Sequence, residues 1–141
     1  MIDTKDLMIG NYVKVNFGLG EGEIFKVERI CNNNHEGWID LFNDSLSEGY
    51  TVGHSTKQLD PITLTEDFLI KNEFVYQKDD NSYTLFDDYY SINAKEVNDG
   101  MWQIVVEHCE IFNDIEVCSV SYVHQLQQFL NLCGIELNIK L

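Results

Sequence analysis

Near the end of the chain, apolar positions recur three and four residues apart. Tyr122, Val123, Leu126, Phe129, Leu130 and Cys133 make one stripe, and His124, Gln125, Gln127, Gln128 and Asn131 fill the opposite side. That spacing predicts one amphipathic helix, with Ser121 placed as its N-cap and Gly134 as the left-handed residue through which the chain leaves it. Ile135, Leu137, Ile139 and Leu141 then alternate with Glu136, Asn138 and Lys140. This is the period of a strand with one buried face, and it predicts a C-terminal edge strand. A helix with such a stripe is not stable alone in water, so the preceding residues must supply the surface it covers.

From Leu7 to Ile62 the pattern is of short strands punctuated by glycine. Ile9 to Val15 opens it, Gly18, Gly20 and Gly22 crowd a turn, and Ile24, Phe25, Val27 and Ile30 carry the return. Cys31 to Gly37 reads as a polar loop, followed by Trp38, Ile39, Leu41 and Phe42, a short strand at Tyr50 to Val52, and a lead-out from Leu59 to Ile62. Short strands at this spacing, without a helical period, predict a small barrel. Pro61 favours an extended Asp60 in the connector. Thr65 then suits the N-cap of a helix of about two turns, with Glu66 and Asp67 at its positive end and Phe68 and Leu69 inward; Asn72 is expected to end it in the left-handed conformation. Strands follow at Phe74–Lys78, Tyr83–Phe86, Tyr89–Glu96, Trp102–Val106 and Ile115–Val117. The turns between them are polar, and Asn98-Asp99-Gly100 is the strongest hairpin signal. The expected fold is α+β, with a small barrel over residues 1–62 and an antiparallel meander packed by two helices over 63–141. The two lobes could equally share one continuous domain.

Charge narrows the choice of partners. Nine Lys and Arg stand against 24 Asp and Glu, a formal net of −15, with the acidic excess present on both sides of Ile62. A duplex needs a basic footprint, so direct nucleic-acid binding is not expected. The start, Met1 to Asp6, has no basic segment followed by an apolar run, and no apolar stretch is long enough for a membrane span. Cys31, Cys109, Cys118 and Cys133 are irregularly spaced, as expected of reduced thiols in a cytoplasmic protein.

Two resemblances add to this. Gly10, Val13 and Val15 followed by Gly22, Ile24, Val27 and Ile30 resemble the opening of SH3-like barrels of the KOW type, which implies an SH3-like β-barrel for the first lobe. Ile9-Gly10-Asn11-Tyr12-Val13, Pro61-Ile62-Thr63-Leu64-Thr65-Glu66 and Tyr122-Val123-His124-Gln125-Leu126-Gln127, in that order, resemble a family of small uncharacterised proteins of gut Bacteroidales genomes and their phages or mobile elements. That likeness implies a cytoplasmic, mobile-element context and carries no catalytic residues. The family's middle motif ends in a Gly-Phe pair where this chain has Glu73-Phe74, so Asn72 is expected to take the turn.

Candidate chemistry is sparse. Gly18-Leu19-Gly20-Glu21-Gly22 leads into strand-like residues and carries carboxylates, which suits a hairpin turn and not a phosphate loop. His108, Cys109 and Cys118 lack the paired spacing of a zinc site. Asp79-Asp80 and Asp87-Asp88 fall where turns need Asp for backbone reasons, and Tyr83, Phe86, Tyr89 and Tyr90 read as core or cross-strand aromatics. No nucleophile stands beside an evident base, so neither catalytic residue nor cofactor nor metal is assigned. The leading expectation is a non-enzymatic acidic interaction module that meets a protein partner. Its contact residues would be His124, Gln125, Gln127, Gln128 and Asn131, amide-rich and weakly charged, together with the junction near Asp60 to Thr65 as a second contact. An acidic mimic of nucleic acid that occupies a DNA-binding protein is the first alternative, and a small hydrolase or metal-dependent enzyme the second. A strand edge left open in the meander would allow a homodimer.

Overall fold

The computed structural model describes residues 2, 6–33, 36–43, 50–108 and 115–141, with the backbone alone at 31–33, 36–38, 43 and 50–52. The chain divides into two compact units, Met1–Ile62 and Thr63–Leu141.

The first unit is a five-stranded antiparallel sheet. Its strands are β1 (Tyr12–Val15), β2 (Ile24–Asn33), β3 (Glu36–Asn43), β4 (Tyr50–Ser55) and β5 (Leu59–Asp60), in the order β4-β3-β2-β1-β5. Among the described residues β4 and β5 are its two edges and are not paired with each other, so the ladder is open. One face carries the core: Val13, Val15, Phe25, Val27, Ile39, Leu41 and Leu59, with Ile2 and Leu7 from the lead-in. Phe25 and Val27 sit at odd positions and Ile30 at an even one. A bulge between Val27 and Arg29 absorbs the change of phase, pairing Ile30 with Ile39 and leaving Arg29 beside Asp40 on the opposite face, 3.4 Å apart. The polar loop expected from Cys31 to Gly37 is mostly ladder, because β2 and β3 stay paired out to Asn33 and Glu36; Asn34 and His35 lie outside the described residues. Three glycines do make the turn before β2. A Cβ on Gly20 would stand 2.7 Å from the buried Phe25 ring, so the backbone lies directly on that side chain.

The second unit is the expected meander, β6 (Val75–Gln77), β7 (Ser82–Phe86), β8 (Tyr90–Asn98), β9 (Met101–His108) and β10 (Ile115–Val120), paired in chain order. The β8–β9 hairpin turns at Asp99-Gly100, where the Glu96 carboxylate accepts the Gly100 N–H at 3.0 Å. The Asn113-Asp114 turn lies outside the described residues. Helix α1 (Glu66–Lys71) and helix α2 (Val123–Leu132) supply Phe68, Leu69, Val123, Leu126 and Leu130 to a core shared with Ile92, Ala94, Trp102, Ile104 and Val106. Trp102 satisfies its buried indole N–H on the Leu64 carbonyl at 3.1 Å, which ties the connector to β9. The architecture is therefore α+β and mostly antiparallel sheet. No helix among the described residues is long and apolar enough to cross a membrane.

Three local expectations are corrected. Ile135 and Ile139 are buried as the alternation requires, yet among the described residues the segment after α2 joins no ladder, so it is not an edge strand. Tyr122, not Ser121, is the N-cap of α2. The Gln125 side chain reaches back instead, its Oε1 accepting the N–H of Ser121 at 2.9 Å and of Tyr122 at 3.2 Å. At the end of α1 the left-handed residue is Glu73, at φ 71°, whereas Asn72 keeps φ −96°. The Asn72 amide is committed elsewhere, as described next, and the turn passes to its neighbour. Thr65 caps α1 as expected, its hydroxyl accepting the Phe68 N–H.

Candidate functional site

Helix α2 holds the residues assigned to partner contact, and its two sides are less distinct than its periodicity implies. His124 is buried, at 3% exposure, with its ring stacked on Tyr122 at 5.7 Å between centroids. This corrects its placement on the open side: the first turn of the helix is covered beyond the width of the apolar stripe. Gln125 is half-buried and serves as the back-cap, and Gln127 and Gln128 are also half-buried. Asn131 is exposed, and Leu132 beside it is 84% exposed. At its C-terminal end α2 exposes Asn131 and Leu132, with the half-buried Gln128 three and four residues before them on the same side. Leu132 was outside the sequence reading because it belongs to neither the stripe nor the amide row. From Val123 to Leu132 the helix carries no Asp, Glu, Lys or Arg.

A second constellation lies at the end of α1. The Asn72 side chain accepts the Lys140 N–H on Oδ1 at 2.7 Å and donates from Nδ2 to the Lys140 carbonyl at 2.9 Å and the Phe68 carbonyl at 2.8 Å. One buried amide thus pairs with both polar groups of a single residue of the segment after α2, as a neighbouring strand would. The Lys140 ammonium pairs with the Glu73 carboxylate, holding that carboxyl below its usual range, and the Lys71 ammonium donates to the Leu141 carbonyl. A depression of about 260 Å³ opens beside them, lined by Asn72, Glu73, Leu85, Leu137, Asn138 and Lys140. Asn72 and Lys140 are far apart in the chain, so no spacing rule could have joined them.

Among the described residues no three His, Cys, Asp or Glu side chains gather as metal ligands would. Cys118 and Cys133 are free and half-buried, and Cys109 of the expected His108, Cys109 and Cys118 grouping lies outside the described residues. Burial pushes the Cys133 thiol up to about 12, with the Glu116 carboxylate beside it adding to the shift. A thiol held so firmly protonated is a poor nucleophile. Asp79, Asp80, Asp87 and Asp88 are exposed in turns, and Asp87 accepts the Tyr89 N–H. Tyr83 is buried edge-on to Trp102, while Phe86 and Tyr89 are exposed. In the first unit His54 on β4 is 2% exposed, and neither ring nitrogen has a hydrogen-bond partner among the described residues. It faces the core beside Ile39, and its Cε1 lies 4.0 Å from where a Cβ on Gly18 would be.

No protein-family model matches the chain, and neither does any curated protein or solved structure.

Proposed function

We propose that this protein is a non-enzymatic, acidic interaction module that docks a protein partner through the C-terminal end of α2. One observation carries the reading: in a chain of formal net charge −15, α2 is ten residues long without a charged side chain and leaves Leu132 in water next to Asn131 and Gln128. Uncharged amides lose less than carboxylates on desolvation, and an exposed leucine rewards being covered. The acidic remainder of the surface would then steer a basic partner and repel others. The proposal extends to the first unit being an SH3-like barrel: β5 returns beside β1, which is the pairing a five-stranded barrel needs before it can close. The mobile-element context is proposed on the motif resemblance alone.

Arginine placed at Gln128, Asn131 and Leu132 in turn should abolish capture of the partner while leaving the circular dichroism unchanged. Captured proteins that ignore all three substitutions would refute the contact. The net charge favours a second reading, an acidic mimic that occupies a DNA-binding protein. Capture at low and high salt separates the two, since the mimic should release its partner steeply as salt rises, whereas the α2 contact should persist.

A further inference from the structure

The meander buries Ile92, Ala94, Ile104 and Val106 on the side of the two helices, and alternation turns the intervening residues of each strand to the other face. On that open face Val75, Phe86, Ile115 and Val117 are between 55% and 69% exposed. At its middle Asn93 on β8 stands opposite Val105 on β9, and the Asn93 amide donates to the Ser82 and Thr84 hydroxyls at 2.8 and 3.1 Å. Both hydroxyl residues are buried, so covering this middle leaves neither amide hydrogen unmatched. Charge is sparse here and dense elsewhere. In a chain of formal net −15, the described residues of β6 to β10 turn only Lys95 and Glu107 to this face. They lie two residues to either side of the Asn93 and Val105 pair, Lys95 opposite Gln103 and Glu107 opposite Ser91. Strand geometry puts them about 14 Å apart, too far to pair with each other.

From this arrangement we propose that two copies of this chain pack these open faces together about a two-fold axis over the Asn93 and Val105 pair, with Lys95 of each copy against Glu107 of the other. A two-fold contact is reciprocal, so two opposite charges set about the centre of one face become two ion pairs when that face meets its own copy. Charge also singles out the second copy as the occupant. A basic partner is matched by the acidic remainder of the surface and gains nothing from a neutral face, and an acidic partner is repelled by that remainder. Two copies repel each other everywhere except where the local charge is zero, which is where this face lies. Three rows of side chains across five strands amount to about 500 Å² on each copy and about 1,000 Å² in all, the lower bound of a specific interface. The dimer is therefore weak and forms at high protein concentration.

Charge reversal tests this by sedimentation equilibrium. Lys95→Glu makes both charges of the face acidic and Glu107→Lys makes both basic, so each variant alone should dimerise about tenfold more weakly than wild type. Mixed in equal amounts, the two variants should associate at least as tightly as wild type, since each face then complements the other. Net charge alone predicts otherwise, because Glu107→Lys lowers the repulsion between copies and would tighten association. Such tightening overturns the proposal. So does a dimer indifferent to both substitutions, which would mark a strand edge or α2 as the contact, and so does a wild-type chain that stays monomeric up to about 1 mM. Should either variant fail to fold by circular dichroism, cross-linking of the wild-type chain decides. A carbodiimide joins a lysine amine to a carboxylate in contact with it, and an equal mixture of light and heavy-isotope chains should yield Lys95 to Glu107 links that combine the two isotopes. Their absence from the cross-linked dimer overturns the contact.

Discussion

Two residues stand in places that their chemistry does not favour. Glu73 holds φ 71°, which costs an L-residue with a Cβ about 1–2 kcal/mol. Glu73→Gly should raise unfolding stability by about 0.5–1 kcal/mol in urea titration, because the exposed ion pair with Lys140 that it loses is worth little. A loss of stability would mean that this ion pair outweighs the backbone strain. Among the described residues His54 is buried with both nitrogens unmatched, and each such group costs about 1–3 kcal/mol in lost hydration. His54→Leu, similar in size and without polar atoms, is expected to shift the denaturation midpoint upward; a downward shift would show that His54 is held by something the described residues do not contain. Neither feature was legible in the sequence. A histidine at an alternating position looks the same whether its nitrogens meet water or leucines.

Among the elements, turns and caps were readable because their chemistry is local. Thr65 caps α1, Asp99-Gly100 turns a hairpin, and Gly134 releases α2, each satisfying orphaned or strained backbone groups within a few residues. The N-terminus of α2 escaped that logic, since Gln125 caps from inside the helix where Ser121 would have capped from outside. Where α2 meets β10, Cys133 lies against Glu116. Its thiol binds its proton more tightly folded than unfolded, so the stability it adds is fully present below the ordinary thiol value of 9.0 and is lost as pH climbs toward about 12. Alkylation of Cys133 near neutral pH should accordingly be slow, and Glu116→Gln should accelerate it, as followed by peptide mass mapping. Equal rates in the two proteins would remove Glu116 as a cause. The bulge in β2 follows the same rule of local legibility, since the shift from Phe25 and Val27 to Ile30 signals a change of phase even though the pairing with β3 that tolerates it does not show.

For the whole molecule, the formal charge of −15 acts over distances that individual pairs do not. Repulsion among the carboxylates works against compaction, and about 0.1 M salt brings the screening length to about 10 Å, comparable with their separation on a small surface. The thermal midpoint at neutral pH should therefore rise on adding sodium chloride. A midpoint that falls would mean that attractive pairs such as Arg29 with Asp40 dominate.

Alternation and helical period determined which side of each segment is apolar, and with the turn residues they determined the order of elements and the α+β class. Those are properties of neighbours along the chain, where a residue's side is set by its own backbone geometry. Only the tertiary structure decided what each side meets. The last segment has the alternation of a strand and buries Ile135 and Ile139, though not Leu141, and Asn72, 68 positions from Lys140, supplies hydrogen bonds to it in place of a strand. His124 has the spacing of a surface residue and is covered by Tyr122. Burial and pairing depend on groups brought together through space, and a one-dimensional pattern contains the demand for a partner without the partner's identity.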